Sequence, residues 1–240
     1  MIAGAVAKSC QVEVWDLPTR IFHWTLVVLV FAGWGTSEWS QALHDPTLKF
    51  HRWAGYGILV VMGWRVLWGF FGPPASRFSH FIAKPGVALA YGRDVIAGAS
   101  RRFLGHNPLG GYMVLALLVI LIAEAGLGLF VVDRDELANG PLYKLIDPTL
   151  LPAVRHWHRF IFYRVILPLA GLHILANAYY QFVKRDPLIR AMITGQKPAG
   201  SYEDQADASE PGPSPARALL CLSVSAAFVF GTIIALGGKI

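Results

Sequence analysis

Histidine is the residue type whose spacing in this sequence most directly indicates chemistry. Four of the eight histidines lie inside long apolar segments: His23, His51, His158 and His173. An imidazole in such a segment is unfavourable unless it is paired or bound to a metal. No third and fourth ligand stands near any of them in the sequence, as a zinc site would require. The four positions are therefore candidate ligands of a metal-containing cofactor, provided that the surrounding elements bring them together.

The segments that carry these histidines are long enough to cross a membrane. The chain is 55% apolar and 15% charged, whereas soluble domains carry roughly a quarter charged residues. This composition argues against a soluble domain and excludes intrinsic disorder. A helical span takes about 20 residues, and five stretches satisfy that length: residues 19–39, 48–71, 108–132, 156–183 and 218–238. The sequence predicts an all-α membrane protein, a four-helix transmembrane bundle plus a fifth C-terminal transmembrane helix.

Basic residues in the connections predict the orientation of these spans. One side of the membrane receives twelve Lys and Arg residues and the other receives five. Because Lys and Arg accumulate on the cytoplasmic side, we expect a cytoplasmic N-terminus and a periplasmic C-terminus. The first apolar run shows no cleavage site and is interpreted as a retained helix. The basic excess is thus a topology signal, and no binding of nucleic acid is expected.

Depth in the membrane groups the four histidines into two pairs. His51 and His158 fall near the outer ends of their spans, while His23 and His173 fall toward the cytoplasmic side. His158 and His173 are 15 residues apart on one helix, a rise of about 22 Å. Two facing imidazole pairs favour two bis-histidine b-type haems, whose iron keeps no open position and therefore transfers electrons. His156 remains a competing outer ligand, with a less favourable rotation relative to His173.

Charged residues in or beside the spans are candidates for contacts with the haem propionates. A buried arginine needs an anionic partner, and four arginines lie at suitable depths: Arg20, Arg65, Arg159 and Arg164. Snorkelling to lipid headgroups is the alternative, reasonable for Arg20 and poor for Arg164. Glu124 is either a proton relay to a quinone or a paired structural carboxylate. His106 precedes a predicted N-cap, Asn107, and either contacts a propionate or a quinone or lies at the surface.

Composition divides the chain into three parts. Residues 1–195 are expected to form the four-helix dihaem domain. Residues 196–216 are rich in Pro, Ser, Gly and acidic residues and predict a flexible linker. Residues 217–240 form the C-terminal transmembrane helix, whose small residues favour close helix contact. The segment 218–238 either docks on a partner subunit or serves as a peripheral anchor without specific contacts.

Three motifs resemble the bacterial cytochrome b561 family, which includes the b-type cytochrome subunits of membrane-bound nickel–iron hydrogenases. They are Val14-Trp15-Asp16-Leu17-Pro18-Thr19-Arg20-Ile21-Phe22-His23-Trp24, His51-Arg52-Trp53-Ala54-Gly55 and His106-Asn107-Pro108-Leu109-Gly110-Gly111. The resemblance covers about residues 12–195. It implies a four-helix bundle that binds two haems through His23, His51, His158 and His173. The family usually places its two ligands on the fourth helix one residue closer together, so we expect a single-residue bulge near Pro168.

Together these features predict a membrane cytochrome b that transfers electrons between the quinone pool and a periplasmic partner. The resemblance implies a c-type cytochrome or a hydrogenase-like subunit as that partner, and the bacterial inner membrane as the location. One alternative is a superoxide oxidase that reduces ubiquinone, with Arg155 and Arg159 forming a basic pocket for the anion. Another is a structural haem-containing anchor subunit. An electron-transfer subunit is favoured over a stand-alone oxidoreductase.

Overall fold

A computed structural model describes residues 11–45, 47–99, 101–133, 137–204 and 214–240. Within these ranges, five helical segments are long and apolar enough to cross a membrane. They are α1 (Leu17–Glu38), α2 (Lys49–Phe71), α5 (Pro108–Gly128), the fourth span (Pro148–Val183) and α9 (Pro215–Ala235). The predicted all-α, multi-pass membrane architecture is confirmed.

The fourth span is not a uniform α-helix. It consists of a 3₁₀-helical turn (Pro148–Leu150), α6 (Leu151–Ile161), a π-helical turn (Phe162–Ile166), α7 (Leu167–Ala178) and a second π-helical turn (Tyr179–Val183). At the first π-turn, the N–H of Leu167 donates to the carbonyl of Phe162, five residues back. Pro168 follows and has no N–H with which to continue the α-helical pattern. A π-turn inserts one residue into an α-helix, so the predicted bulge near Pro168 is confirmed.

Shorter helices connect the spans on one side of the bundle. They are α3 (Phe78–Phe81) and α4 (Pro85–Ile96) before α5, and α8 (Leu188–Thr194) after the fourth span. The start of α5 follows the predicted capping pattern. Its N-cap Asn107 accepts a hydrogen bond of 2.8 Å from the N–H of Gly110, and Pro108 fills the first helical position.

Helix α2 lies at the centre of the bundle, packed against α1, α5 and α9. A buried cluster joins α2 and α5 to the fourth span: Met62, Leu118, Leu121 and Ile166. Because Ile166 belongs to the first π-turn, the bulge itself is anchored in this core. The helices that carry the four candidate ligands are therefore held by one continuous set of contacts.

The fifth helix, α9, packs along α2 of its own chain. The indole Nε1 of Trp64 donates to the carbonyl of Ala218 at 3.0 Å, and the Ser225 hydroxyl donates to the carbonyl of Val60 at 2.7 Å. A Cβ atom at Gly63 would collide with Ser225. Small residues thus allow close approach within the chain, and a contact between α9 and another subunit stays a prediction.

Two short strands close the bundle at the end that carries His23. Strand β1 (Gln11–Glu13) pairs antiparallel with β2 (Gln196–Pro198), and we call residues 11–15 and 196–204 the strand cap. The prediction of a flexible linker over residues 196–216 is wrong at its start, because Gln196–Pro198 form a strand and Asp204 accepts hydrogen bonds from the N–H groups of Leu104 and Gly105. It is also wrong at Pro215, where α9 begins. The intervening residues 205–213 lie outside the described part of the chain.

Candidate functional site

The first pair of candidate ligands, which we call the His51 site, consists of His51 and His158. His51 lies in the first turn of α2 and His158 lies on α6, and their ring centroids are 6.1 Å apart. Nδ1 of His51 is 2.7 Å from the carbonyl oxygen of Gly33, and Nδ1 of His158 is 3.2 Å from that of Glu124. A carbonyl that accepts from one ring nitrogen leaves the other nitrogen unprotonated for a metal.

The second pair, which we call the His23 site, consists of His23 on α1 and His173 on α7. Their ring centroids are 6.5 Å apart and the rings are tilted by 45°. Nδ1 of His23 is buried without a hydrogen-bond partner among the described residues. Asn177 lies one turn after His173, with its amide nitrogen 3.2 Å from Nε2 and 2.7 Å from the carbonyl oxygen of that residue. The structure therefore brings together the same two pairs that the depth argument predicts.

Both separations suit two imidazoles that share one metal ion. With metal–nitrogen distances of about 2 Å, the ring centroids of such a pair fall about 6 Å apart. In the part of the chain that the structure describes, no group of three or more His, Cys, Asp or Glu residues is arranged to hold a metal ion. A zinc site therefore gains no support, whereas a haem that needs only two axial ligands fits the donor set.

The surroundings of the His51 site leave room for a flat macrocycle. An open cavity adjoins both imidazoles and is lined mainly by apolar side chains. Its wall includes Gly33, Gly55 and Gly128, and a Cβ atom at Gly128 would stand only 3.4 Å from Cε1 of His158. The missing side chains thus contribute directly to the space beside the ligands.

His156 does not take part in this site. Its side chain is exposed and its ring lies 6.2 Å from that of Phe160 on the same helix. His158, two residues later, faces His51 instead. The geometry therefore favours His158 over His156, the choice that the sequence left open.

Arg65 and Arg20 lie toward the His23 end of the bundle. Arg65 is buried, with its guanidinium 5.4 Å from the ring centroid of Phe78 and 5.5 Å from that of Phe81. Its Nη1 has no hydrogen-bond partner among the described residues and is suitably placed for an anion. Arg20 donates from Nη1 to the carbonyl of Ile193 at 2.7 Å, which ties α1 to α8.

Arg159 and Arg164 differ in their relation to the His51 site. Arg159 lines the cavity, and its guanidinium lies 5.8 Å from the ring centroid of Tyr163. Arg164 is exposed within the π-turn and does not line that cavity. A contact between Arg164 and a propionate therefore gains no support from this cavity and stays a prediction.

A second cavity opens at the His23 end, beneath the strand cap. Its wall includes Asp16, Phe81 and His106, and the ring of His106 lies 4.7 Å from Trp15 and 4.8 Å from Phe81. Burial, with the nearby charge of Arg65, lowers the pKa of His106 to about 3, so the ring is neutral at physiological pH. His106 thus lines this cavity between two aromatic rings.

Asp16 is a residue of this cavity that the sequence argument missed. It precedes α1 and accepts a hydrogen bond of 3.1 Å from Nε1 of Trp68, and burial raises the pKa of its carboxyl group. Asp16 is the N-cap residue of α1, yet its side chain makes no cap bond. Asp16 also acts electrostatically on His106's neighbour Arg65, so it belongs to the polar lining of this end.

A membrane-spanning bundle with two facing histidine pairs is the architecture of a membrane b-type cytochrome. The sequence profile of prokaryotic cytochrome b561 matches residues 14–195, and the chain belongs to that family. It is accordingly a multi-pass membrane protein with a role in electron transfer through b-type haem.

Two curated proteins are similar along most of their length. The chain is 23% identical over 219 residues to a probable Ni/Fe-hydrogenase B-type cytochrome subunit of Azotobacter chroococcum mcd 1. It is 23% identical over 220 residues to the protein of the same description from Azotobacter vinelandii. Each match covers 79% of this chain and 90% of the relative. No solved structure matches the chain significantly.

Proposed function

We propose that the chain binds two b-type haems, one at the His51 site and one at the His23 site, and carries electrons between quinone and a periplasmic redox partner. The observation that carries this proposal is the presence of two imidazole pairs of matching separation at opposite ends of one bundle. Bis-histidine haem, when bound, supplies reversible one-electron chemistry with no open position for oxygen.

The chain's own residues have separate tasks in this proposal. The carbonyl groups of Gly33 and Glu124 orient His51 and His158. Arg65, buried with an unpartnered Nη1, neutralises a propionate at the His23 end. Arg159 does the same at the wall of the His51 cavity.

The orientation of the protein follows from the distribution of basic residues. The excess of Lys and Arg lies in the connections at the His23 end, which supports a cytoplasmic location for that end and a position of the His51 site near the periplasm of a bacterial inner membrane. The relatives described as hydrogenase subunits support a hydrogenase-like partner, and we propose that this partner, or a c-type cytochrome in its place, binds at the periplasmic face. The cavity beside His106 and Phe81 is our candidate for the exchange of quinone.

Haem content tests this proposal. A pyridine haemochrome assay of the purified protein should give two haem b per chain. His158→Ala should lose one haem because it removes an axial ligand, while the matched variant His156→Ala should keep both. A content of one haem or none in the unsubstituted protein, or the loss of a haem in His156→Ala, would contradict the assignment.

One observation keeps superoxide oxidation as a second candidate function. Arg52 and Arg159 both line the His51 cavity, although Arg155, the other basic residue expected there, does not. A basic cavity attracts an anionic substrate. Stopped-flow mixing with superoxide discriminates between the two functions, because haem reduction near the diffusion limit favours the oxidase. Haems that neither superoxide nor quinol reduces would instead indicate a structural anchor subunit.

A further inference from the structure

Glu124 is the one charged residue of α5, and its side chain is buried between the spans. A carboxylate inside a membrane span is unfavourable without a partner and is for that reason most often functional. We therefore expect Glu124 to make a specific contact within the bundle.

That contact is His158. Oε1 of Glu124 is 3.2 Å from Nδ1 of His158, and the backbone carbonyl oxygen of Glu124 lies at the same distance from the same nitrogen. Since a carbonyl can only accept, Nδ1 must carry the proton, and Nε2 is left unprotonated. The carbonyl therefore accepts this N–H, and the carboxylate lies at ion-pair distance from the same nitrogen.

The other three candidate ligands lack such a contact in the described structure. Nδ1 of His51 meets the carbonyl of Gly33, and His173 meets the neutral amide of Asn177. Nδ1 of His23 has no hydrogen-bond partner among the described residues. Among the described residues, His158 is thus the one candidate ligand whose ring nitrogen lies beside a carboxylate.

We propose that Glu124 is a positioning residue for His158 that fixes its tautomer and ring orientation and makes the imidazole a stronger electron donor. This inference rests on the proposed function, in which His158 is an axial ligand. Hydrogen bonding of a ligand imidazole to a carboxylate raises its basicity, and a more basic ligand stabilises the oxidised iron. The haem of the His51 site then has a lower reduction potential than it would have with a carbonyl partner alone.

The test compares Glu124→Ala and Glu124→Gln with the unsubstituted protein by haem content, redox titration and electron paramagnetic resonance of the low-spin ferric haems. The haem of the His51 site is identified as the one that His158→Ala lacks. Its reduction potential should rise in both Glu124 variants, and its resonance signal should change in Glu124→Ala. Glu124→Gln keeps an oxygen acceptor, so its signal should stay close to the original.

Two internal controls accompany these variants. The haem of the His23 site should keep its potential and its signal throughout. Val119→Ala, which shortens an exposed side chain on the same helix, should change neither haem. If Glu124→Ala loses the haem of the His51 site, the inference is tested by the reduction potential of that haem in Glu124→Gln.

An unchanged potential in Glu124→Gln, or an equal shift of both haems, would overturn the inference. Failure of the proposed function is a different result. It appears in the unsubstituted protein as fewer than two haems, or in His158→Ala as full haem content.

Discussion

Replacement of Lys197 by methionine should open the strand cap, because it removes one partner of a buried ion pair. Lys197 is fully buried, with Nζ 2.8 Å from Oδ1 of Asp186 and 2.9 Å from the carbonyl oxygen of Phe103. Lys197→Met leaves the buried Asp186 carboxylate without its counter-charge, a change that costs about 3–5 kcal/mol. Since about 1.4 kcal/mol corresponds to a factor of ten, the open state should become roughly 100 to 4,000 times more populated.

Hydrogen–deuterium exchange of the detergent-solubilised protein measures this opening at the amides of the strand cap. The control is Arg101→Met, which removes an ion pair to Glu203 whose side chains are 53% and 45% exposed. An exposed pair contributes under about 1 kcal/mol, so the exchange should accelerate less than about sixfold there. The double variant Lys197→Met/Asp186→Leu removes the stranded charge and should recover much of the protection. Equal acceleration in the two single variants would refute the reasoning.

Three further predictions concern other parts of the bundle. Because burial holds the pKa of His106 near 3, below its ordinary 6.5, the folded protein should lose about 1.4 kcal/mol of stability per pH unit on acidification between these values. In thermal unfolding measured as a function of pH, His106→Gln should lose less stability on acidification than the unsubstituted protein. Equal acid sensitivity of both proteins would contradict the prediction. Gly63→Leu drives a side chain into Ser225 and should detach α9 from α2. In a background that lacks the other cysteine, this detachment should make maleimide label the buried Cys221 faster. Gly195→Ala places a side chain at φ 84° and should lower the unfolding free energy by about 1–2 kcal/mol, and an unchanged unfolding temperature would argue against strain there.

The membrane spans and the histidine pairs were accessible from the sequence because both depend on one-dimensional quantities. A run of about 20 apolar residues defines a span, and a rise of about 1.5 Å per residue converts position along a helix into depth. His158 and His173 could be placed at opposite ends on that basis alone. The direction in which a side chain points is a different matter, since it depends on helical phase.

Arg164 illustrates the limit of the depth argument. Its depth suited a propionate, but a π-turn over Phe162–Ile166 changes the phase of the residues within it. Neither hydropathy nor spacing specifies where the bulge begins. The family resemblance indicated that one extra residue had to be accommodated, but not which side chains it would turn outward.

The strand cap was not predicted because its two strands are short and lie far apart in the sequence. Each of its strands has only three residues, too few for a periodic pattern, and they pair across most of the chain. The polar composition of residues 196–204 is also typical of a linker. Burial of Lys197 depends on Asp186 and the carbonyl of Phe103, and a single sequence does not show that these groups meet.

Glu124 and Arg65 are buried residues of opposite charge at opposite ends of the bundle, which bears on the direction of electron transfer. Arg52 and Arg159, which also line the His51 cavity, are less buried, so solvent screens their charge more strongly. The carboxylate of Glu124 stands behind the His51 site, whereas the buried guanidinium of Arg65 lies at the His23 end, near His106. A negative charge disfavours the added electron and a positive charge favours it. We therefore expect the haem of the His51 site to have the lower reduction potential, so that electrons move from the periplasmic partner toward quinone. A redox titration in which His158→Ala removes the component of higher potential would reverse this direction.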